Sequence, residues 1–464
     1  MSLVSALSNS LNTLQTIQQG MSVIANNVSN AQTEGYTRKY ANLESVLLGS
    51  DFGGVRVRDY GRVVDTSVYN SLLDSAADNG LYGTQNKYLQ ELQQLFGSAT
   101  DQATLSTKIE EFINAWRKFE TSPDSSAVER EVIQRGVDLT AEISRIANGV
   151  EELDRDARQE MDDSVDEIND ILEQIDTINE QISAAQSRNQ PTGDLEDERD
   201  RKLRELSGYM EIKTFPRDAG AIAVYTTNGY SLLDGTPRAF AFDGTDITVS
   251  GSSTAITSYF SGGKIESLHE IRAAGSTSSE AHHGIIDKVR DQLEALADHF
   301  LSTSAGTFTA TYNAATTGSG ELGSGFFTGT STDANNAITI AVNANLLDSS
   351  NKVKRMAAPT VVDSLILSTR SFSAGNLSLT NVNYTDMAEN IVGTLNQQAR
   401  TVKESSDLAE QQQNYFSERY QNTVGVNLDT ELVQLQVLQR SYQAAARLVS
   451  VINEMYEITL EVIR

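Results

Sequence analysis

The sequence predicts a mainly α-helical protein with a smaller β part. Terminal coiled-coil helices are expected to enclose a rod domain built as a long-helix bundle, with antiparallel β domains on the outside. Three observations predict this class. Both ends of the chain carry apolar residues in heptad spacing, and residues 86–190 carry a helical pattern with Pro123 as the only proline. Beyond residue 210, short alternating runs are separated by Asn-Gly and Asp-Gly pairs, which are typical of hairpin turns.

The N-terminal helix is predicted within residues 1–40, where apolar residues lie alternately three and four positions apart. The seam consists of Val4, Leu7, Leu11, Leu14, Met21 and Val28. The other faces carry Ser, Asn, Gln and Thr with scarcely any charge, so ion pairs and helix propensity should stabilise this helix little. We therefore expect it to be poorly ordered unless a partner covers the seam.

A second seam is predicted within residues 426–464. It consists of Leu435, Leu438, Tyr442, Val449, Ile452 and Tyr456 and extends to Ile463. Either terminal helix alone would expose an apolar stripe, so we expect the two helices to cover each other. The sequence leaves open whether they pair within one chain or between copies.

The rod domain is predicted over residues 86–209, together with helices at 280–303 and 382–425. No proline occurs from Ser125 to Arg188, and apolar residues recur every three or four positions, which predicts one helix roughly 100 Å long. A core stripe is expected on the preceding helix at Phe112, Trp116 and Phe119.

Three further segments complete the expected domain organisation. Residues 41–85 are predicted to form a linker with short strands, and residues 210–270 a small antiparallel β domain. Residues 306–380 are rich in Ser, Thr and Gly and contain the strand-like pieces AITIAV and DSLILS, so we expect a β region there as well. Both β parts should project outward from the rod.

Composition excludes several functional classes. The 464 residues carry a formal net charge of −27, which disfavours binding to nucleic acids or anionic membranes. No cysteine is present, so neither a disulfide framework nor a thiolate metal site is expected. The first residues lack a basic region and an unbroken apolar run, so no Sec signal peptide is expected, and no apolar run approaches the ~18 residues of a membrane span.

No catalytic, cofactor or metal site is predicted. The four histidines, His269, His282, His283 and His299, lack the spacing of metal ligands. Residues 318–323 match G-x-G-x-x-G, but no strand precedes and no helix follows these glycines, so we predict a loop. The acidic run 151–170 is expected to be the solvated face of a long helix. We therefore expect a structural protein and not an enzyme.

A turn motif follows the first seam, in the string ANNVSNAQTEGYTR from Ala25 to Arg38. Its asparagines and glycine suit a chain reversal that uses positive φ angles. The string resembles the ANN-x-x-N-x-x-T-P-G-Y signature of the flagellar rod, hook and hook-associated proteins, but Glu34 stands where that family usually has proline. The residues that match are Asn26, Asn27, Asn30, Gly35 and Tyr36.

The entry to the second seam carries a matching resemblance. The string GVNLDTE and the residues after it look like the GVNLDEE…Q-x-x-Y-x-A-x-A signature of the same family, with Thr430 in place of an acid. The residues that match are Gly425, Asn427, Leu428, Asp429, Glu431 and Gln439. Rod and hook proteins lack a long helical middle, so the combination favours the hook-associated members.

The resemblance implies a structural adaptor that joins hook to filament and polymerises through its paired terminal helices after type III export. The implied partners are other copies of the chain in a helical ring, the hook protein, a second junction protein on the filament side and a FlgN-type export chaperone at the C-terminal helices. The implied location is the flagellum outside the cell, without a cleaved Sec signal.

Two alternatives remain open from the sequence. The chain could be another axial protein, such as hook, second junction protein, cap or flagellin, although the turn motif disfavours cap and flagellin and the long helices disfavour the hook protein. It could also be a secreted hydrolase or adhesin carried on flagellar ends, with 306–380 as its active part. That segment holds no constellation of nucleophile, base or metal ligands.

Overall fold

A computed structural model describes residues 3–48, 51–97, 104–272, 284–329, 336–367 and 369–462. Most of this part of the chain is helical, and its strands form small antiparallel sheets, which confirms the predicted fold class. Predictions that concerned His282, His283 and Ile463 lie outside the described residues, as does the side chain of Val4.

The chain starts with a helix and a long hairpin. Helix α1 (Leu3–Ser29) is followed by the antiparallel strands β1 (Lys39–Leu48) and β2 (Asp51–Arg62). The hairpin lies along α1, where the Thr16 hydroxyl donates a hydrogen bond of 2.8 Å to the Val55 carbonyl. The predicted linker 41–85 does contain strands, but they are longer than expected and pair with each other, and its last part belongs to the next helix.

The helical body of the chain extends from residue 66 to residue 424. Its first half is formed by four helices, namely α2 (Thr66–Phe96), α3 (Leu105–Thr121), α4 (Ser126–Ser187) and α5 (Gly193–Tyr209). Helix α2 begins at the Asp65 N-cap, whose side chain accepts hydrogen bonds from the Ser67 and Val68 amides. The early turns of α2 bury neighbouring residues, including Leu72, Leu73, Ala76 and Ala77. Burial on several sides removes the one-face periodicity that would have identified this helix.

Helix α4 has 62 residues and is about 90 Å long. Its predicted core positions are buried without a break through the region of Met161 and Val165, where the apolar spacing departs from the heptad. The predicted core stripe on α3 is also buried, and Phe112 and Trp116 contact Phe308 and Phe326 from the second half of the body.

The small β domain follows α5. Strands β3 (Ile212–Pro216), β4 (Ile222–Thr226) and β5 (Ser231–Leu233) form one antiparallel sheet, and β6 (Phe240–Phe242) pairs with β7 (Ile247–Val249). Glycines at 229, 235 and 244 adopt positive φ in the turns, as the Asn-Gly and Asp-Gly pairs predict. The last residues of the predicted β segment are helical instead, in α6 (Gly263–Arg272).

The predicted β region 306–380 contains more helix than expected. After α7 (Ile285–Leu301), the elements are α8 (Phe308–Ala314), β8 (Phe327–Thr328), α9 (Asn336–Thr339), β9 (Ala341–Val342), α10 (Ala344–Leu347), α11 (Ala358–Ile366), β10 (Arg370–Ala374) and β11 (Leu377–Val382). The strands expected at AITIAV and DSLILS are therefore largely wrong. Thr307 caps α8 and Pro359 starts α11, and these local signals outweigh the β propensity of the Ile, Val and Thr residues.

Two long helices complete the chain. Helix α12 (Tyr384–Val424) begins with a reciprocal capping box between Asn383 and Asp386 and packs along α2. Helix α13 (Leu428–Val462) then leaves the body and packs along α1.

Candidate assembly interface

The two terminal helices pair antiparallel within one chain. The Gln18 amide donates to the Tyr442 hydroxyl at 3.4 Å, and the Asn27 amide donates to the Glu431 carboxylate at 3.2 Å. As α1 advances, its partners therefore move backward along α13. Gly20 lies between these points, where a Cβ would come within 3.2 Å of a Leu438 methyl group. The alternative that the sequence left open is thus realised here as pairing within the chain.

The predicted seam of α13 faces α1. Leu435, Leu438, Tyr442, Val449, Ile452 and Tyr456 are all buried or half-buried, and Ala445 is buried among them. Because these positions alternate by three and four, the shared face matches the heptad geometry from which it was predicted. Their role in assembly stays a prediction.

The seam of α1 differs in part from the prediction. Leu7, Leu14, Met21 and Val28 are half-buried, but Leu11 is 51% exposed. The most buried apolar residues of α1 are Ile17 and Ile24, which the predicted seam omitted. Their seven-residue spacing is the signal that could have found them. Helix α1 lies between α13 and the hairpin and is therefore covered on two faces, whereas the prediction assumed one.

Helix α13 carries a second apolar face that nothing in the described chain covers. This outer stripe consists of Val433, Val437, Ala444, Leu448, Val451, Met455 and Ile458. Its six larger side chains are 50–62% exposed. The residues recur mostly three or four positions apart, so they line one side of the helix, away from the seam. A contiguous exposed apolar stripe of this length is typical of an interaction surface.

Asn27 gives the turn motif its structural meaning. Its side chain accepts a hydrogen bond from the Lys39 amide at 3.0 Å and donates one to the Lys39 carbonyl at 2.9 Å, so it fixes the first residue of β1 against the end of α1. The Tyr36 hydroxyl donates to the same side-chain oxygen at 3.0 Å. Burial, reinforced by nearby carboxylates, raises the pKa of Tyr36 well above its ordinary value, so this hydroxyl stays a donor.

The remaining residues of the turn motif shape the chain reversal. Asn30 caps the end of α1 by donating to the Asn26 carbonyl at 3.0 Å, while the Asn26 side chain is exposed. Gly35 has a φ of 76°, and a Cβ there would come within 2.7 Å of the Arg201 side chain. Glu34, which replaces the usual proline, is exposed and lies 3.8 Å from Arg204.

Glu431 is the corresponding buried group at the start of α13. Its carboxylate is fully buried and accepts a hydrogen bond of 2.6 Å from the Arg38 guanidinium. The Asn427 side chain caps α13 by accepting from the Thr430 amide at 3.1 Å. A Cβ on Gly425 would come within 2.3 Å of the Gln421 carbonyl oxygen. The other predicted motif residues are exposed, namely Leu428, Asp429 and Gln439.

Within the described ranges, no group of three or more acidic or histidine side chains is arranged to hold a metal ion, and no helix is long and apolar enough to cross a membrane. His299 is half-buried against Phe372 and Tyr384. Of the glycines in 318–323, Gly320 lies in a turn and the other two in irregular structure, and no helix follows them directly. The features that stand out are therefore the terminal helix pair, the buried polar contacts of Asn27 and Glu431, and the outer stripe.

Comparisons with known families identify an axial protein of the bacterial flagellum, and they do so at both ends of the chain. The model described as "Flagella basal body rod protein" matches residues 7–37, and the model "Flagellar basal body rod FlgEFG protein C-terminal" matches residues 418–462. Between them, the model "Flagellar hook-associated protein FlgK helical domain" matches residues 89–327. The chain belongs to the FlgK family of flagellar hook-associated proteins.

The individual relatives are distant in sequence, but they align over most of the chain. "Flagellar hook-associated protein 1" of Bacillus subtilis is 22% identical over 487 aligned positions, which cover 96% of this chain and 95% of the relative. The protein of the same name from Escherichia coli is 22% identical over 70% of this chain, which spans 60% of that relative. The solved hook junction protein FlgK of Burkholderia pseudomallei aligns with a TM-score of 0.46 at 21% identity, over 56% of this chain and 46% of the other.

The family gives the chain a structural role in the flagellum, at the junction of hook and filament. The resemblance stated from the two terminal motifs is thereby confirmed, including its assignment to the hook-associated members.

Proposed function

We propose that this chain joins hook to filament by polymerising through α13, with α1 as the internal support of that helix. One observation carries the proposal. Helix α13 already has a complete covered seam, yet it keeps the outer stripe from Val433 to Ile458 in water. Each of the larger stripe residues would contribute on the order of 1 kcal/mol if its exposed half were buried. A neighbouring copy of the same chain is the partner that a helical ring supplies.

Contacts between such copies would be heterologous, with the outer stripe of one chain resting on a different surface of the next. Contacts of this kind generate helical symmetry instead of a closed dimer. The ring would meet the hook protein on one side and a second junction protein on the filament side, as the family resemblance implies.

Before assembly the outer stripe needs protection from aggregation. The resemblance points to export through the flagellar type III channel and to a FlgN-type chaperone that covers the C-terminal helices until then. Helix α1 has little intrinsic stability, since it carries no acidic residue in its first turn and no basic residue in its last. Binding to a partner would offset the entropy that the terminal helices lose when they become ordered. We propose no catalytic role, and the buried polar side chains of the terminal helix pair, Asn27 and Glu431, make structural hydrogen bonds.

The test compares two substitutions on different faces of α13. Leu448→Asp places a charge in the outer stripe, whereas Gln443→Asp places the same charge on the exposed polar face as a matched control. We expect both purified variants to keep the helical content of the parent chain by circular dichroism. Ring formation by electron microscopy, and filament attachment in a complemented deletion strain, should be lost only with Leu448→Asp. Equal assembly by the two variants would refute the proposal.

A further inference from the structure

We infer that two buried carboxylates of α5, Asp197 and Asp200, position the terminal helix pair on the helical body. The inference rests on the proposed function, because copies can assemble into a helical ring only if every copy presents α13 at the same angle. Neither aspartate belongs to the terminal motifs, and both lie in the charged stretch DLEDERDRKLREL at 194–206.

Asp197 is the centre of the contact and is only 5% exposed. It accepts hydrogen bonds from the Thr37 amide at 3.0 Å and from the Thr37 hydroxyl at 2.7 Å. It also pairs with the Lys39 ammonium and, at 3.0 Å, with the Arg62 guanidinium. One carboxylate therefore holds three residues at the base of the hairpin.

Arg62 extends this contact along α5. Its guanidinium lies 2.6 Å from Asp200 and 2.7 Å from Glu196. The Asp200 carbonyl also accepts a hydrogen bond of 2.8 Å from the Tyr69 hydroxyl of α2. Burial alone would lower the pKa of Arg62, but the surrounding carboxylates raise it above its ordinary value, so the guanidinium stays charged.

The strand geometry explains why this contact controls α13. Lys39 and Arg62 are partners in the last rung of the hairpin, so α5 holds both strands where they join the body. Side chains alternate along an extended segment, and Thr37 and Lys39 face α5 while Arg38 faces the other way and binds Glu431. Three consecutive residues thus connect the body to α13.

The contact between α5 and the base of the hairpin must be directional if it is to fix the angle of α13. An apolar contact of the same area would tolerate sliding and rotation, whereas a buried network of hydrogen-bonded ions is satisfied in one arrangement only. Loss of one carboxylate should therefore widen the range of angles while leaving the cores on either side intact.

The absence of cysteine in the chain allows a direct measurement. Spin labels at Gln15→Cys on α1 and Glu152→Cys on α4, both exposed positions, would report the distance between the terminal pair and the body by double electron–electron resonance. Asp197→Asn keeps the size and removes the charge, and Glu198→Gln at the neighbouring exposed position is the matched control. Thr37→Val, which removes one hydrogen bond, provides a milder change.

We expect Asp197→Asn to broaden the distance distribution about twofold and Thr37→Val to broaden it less, because the single arrangement that satisfies the network is then less strongly favoured over the others. The control should keep the parent distribution, and the thermal unfolding midpoint of the body should be the same in all variants. Ring formation should fall with Asp197→Asn and recover with Asp197→Glu, which restores the carboxylate.

A distribution as narrow in Asp197→Asn as in Glu198→Gln would overturn the inference and leave the proposed function untouched. Conversely, normal assembly by Leu448→Asp would overturn the proposed function without testing the contact between α5 and the hairpin. If Asp197→Asn lowers the unfolding midpoint of the whole body, Asp197 only stabilises the body and the inference fails. Thr37→Val tests the same question, because it removes a single hydrogen bond.

Discussion

Glu160 offers a quantitative test of how the helical body is held together. Its carboxylate lies on α4 and accepts hydrogen bonds from two residues of α2, Lys87 at 2.7 Å and the Tyr88 hydroxyl at 2.8 Å. The Lys264 ammonium of α6 lies 2.9 Å from the other oxygen. One side chain therefore connects three helices, and the substitution Glu160→Gln would remove its charge with little change in volume.

The expected cost follows from the pKa of Glu160. Burial opposes ionisation, but the hydrogen bonds from Lys87, Lys264 and Tyr88 outweigh it and lower the pKa from 4.5 to about 2. At 1.36 kcal/mol per pKa unit this corresponds to roughly 3 kcal/mol, and screening at the half-exposed Lys87 reduces it to about 2 kcal/mol. Because the folded pKa lies below the unfolded one, this stabilisation is complete above pH 4.5 and is lost as pH falls through about 2.

Urea unfolding followed by circular dichroism measures this directly. The free energy of unfolding of Glu160→Gln should be about 2 kcal/mol below that of the parent chain at pH 7, and the difference should shrink steadily between pH 4.5 and pH 2. Asp166→Asn, on an exposed position of the same helix, serves as the control and should show little difference. A deficit that is as large at pH 2.5 as at pH 7 would show that the electrostatic reasoning is wrong.

Two further predictions concern the core and the terminal pair. Trp116→Ala should lower the free energy of unfolding by about 4 kcal/mol, because the fully buried indole packs against Phe308, Tyr312 and Phe326; a loss below 1 kcal/mol in urea unfolding would contradict this packing. Glu431→Ala leaves Arg38 without its buried partner, so amide hydrogen exchange in α1 should accelerate by a factor corresponding to about 3 kcal/mol, while exchange in α4 stays unchanged. Equal acceleration in both helices would contradict a local role for Glu431.

Some of this fold could be predicted from sequence because the relevant helices each bury one face. The core of α4 and the seam of α13 repeat at intervals of three and four, and the structure buries or half-buries those positions. The turn motif was equally informative, since Gly35 needs its positive φ and Asn27 needs its amide. In these places local pattern and tertiary environment agree, which is the condition under which pattern predicts structure.

The rest could not be predicted because it depends on neighbours that are distant in sequence. The start of α2 is buried on several sides, which conceals its periodicity, and the short helices of 306–380 are rich in β-branched residues. Asp197 and Asp200 lie in a charged stretch of sequence, and the residues that pair with them in the structure, such as Arg62, are distant in sequence. A charged residue in a sequence does not reveal which of its neighbours will exclude water.

The terminal helix pair and the hairpin provide separately for the two properties that a polymerising helix needs, namely a defined angle and a favourable free energy of association. A defined angle requires directional contacts, and Asn27, Glu431 and Asp197 make them inside one chain, where they are satisfied before any partner arrives. Association requires apolar surface that is still exposed to water, and the outer stripe of α13 supplies it. Polar contacts alone would contribute little net free energy, and apolar contacts alone would not fix the angle. We propose that helix α1 serves assembly by holding α13 in place, and we expect substitutions on its covered face to weaken assembly even at residues that touch no neighbouring copy.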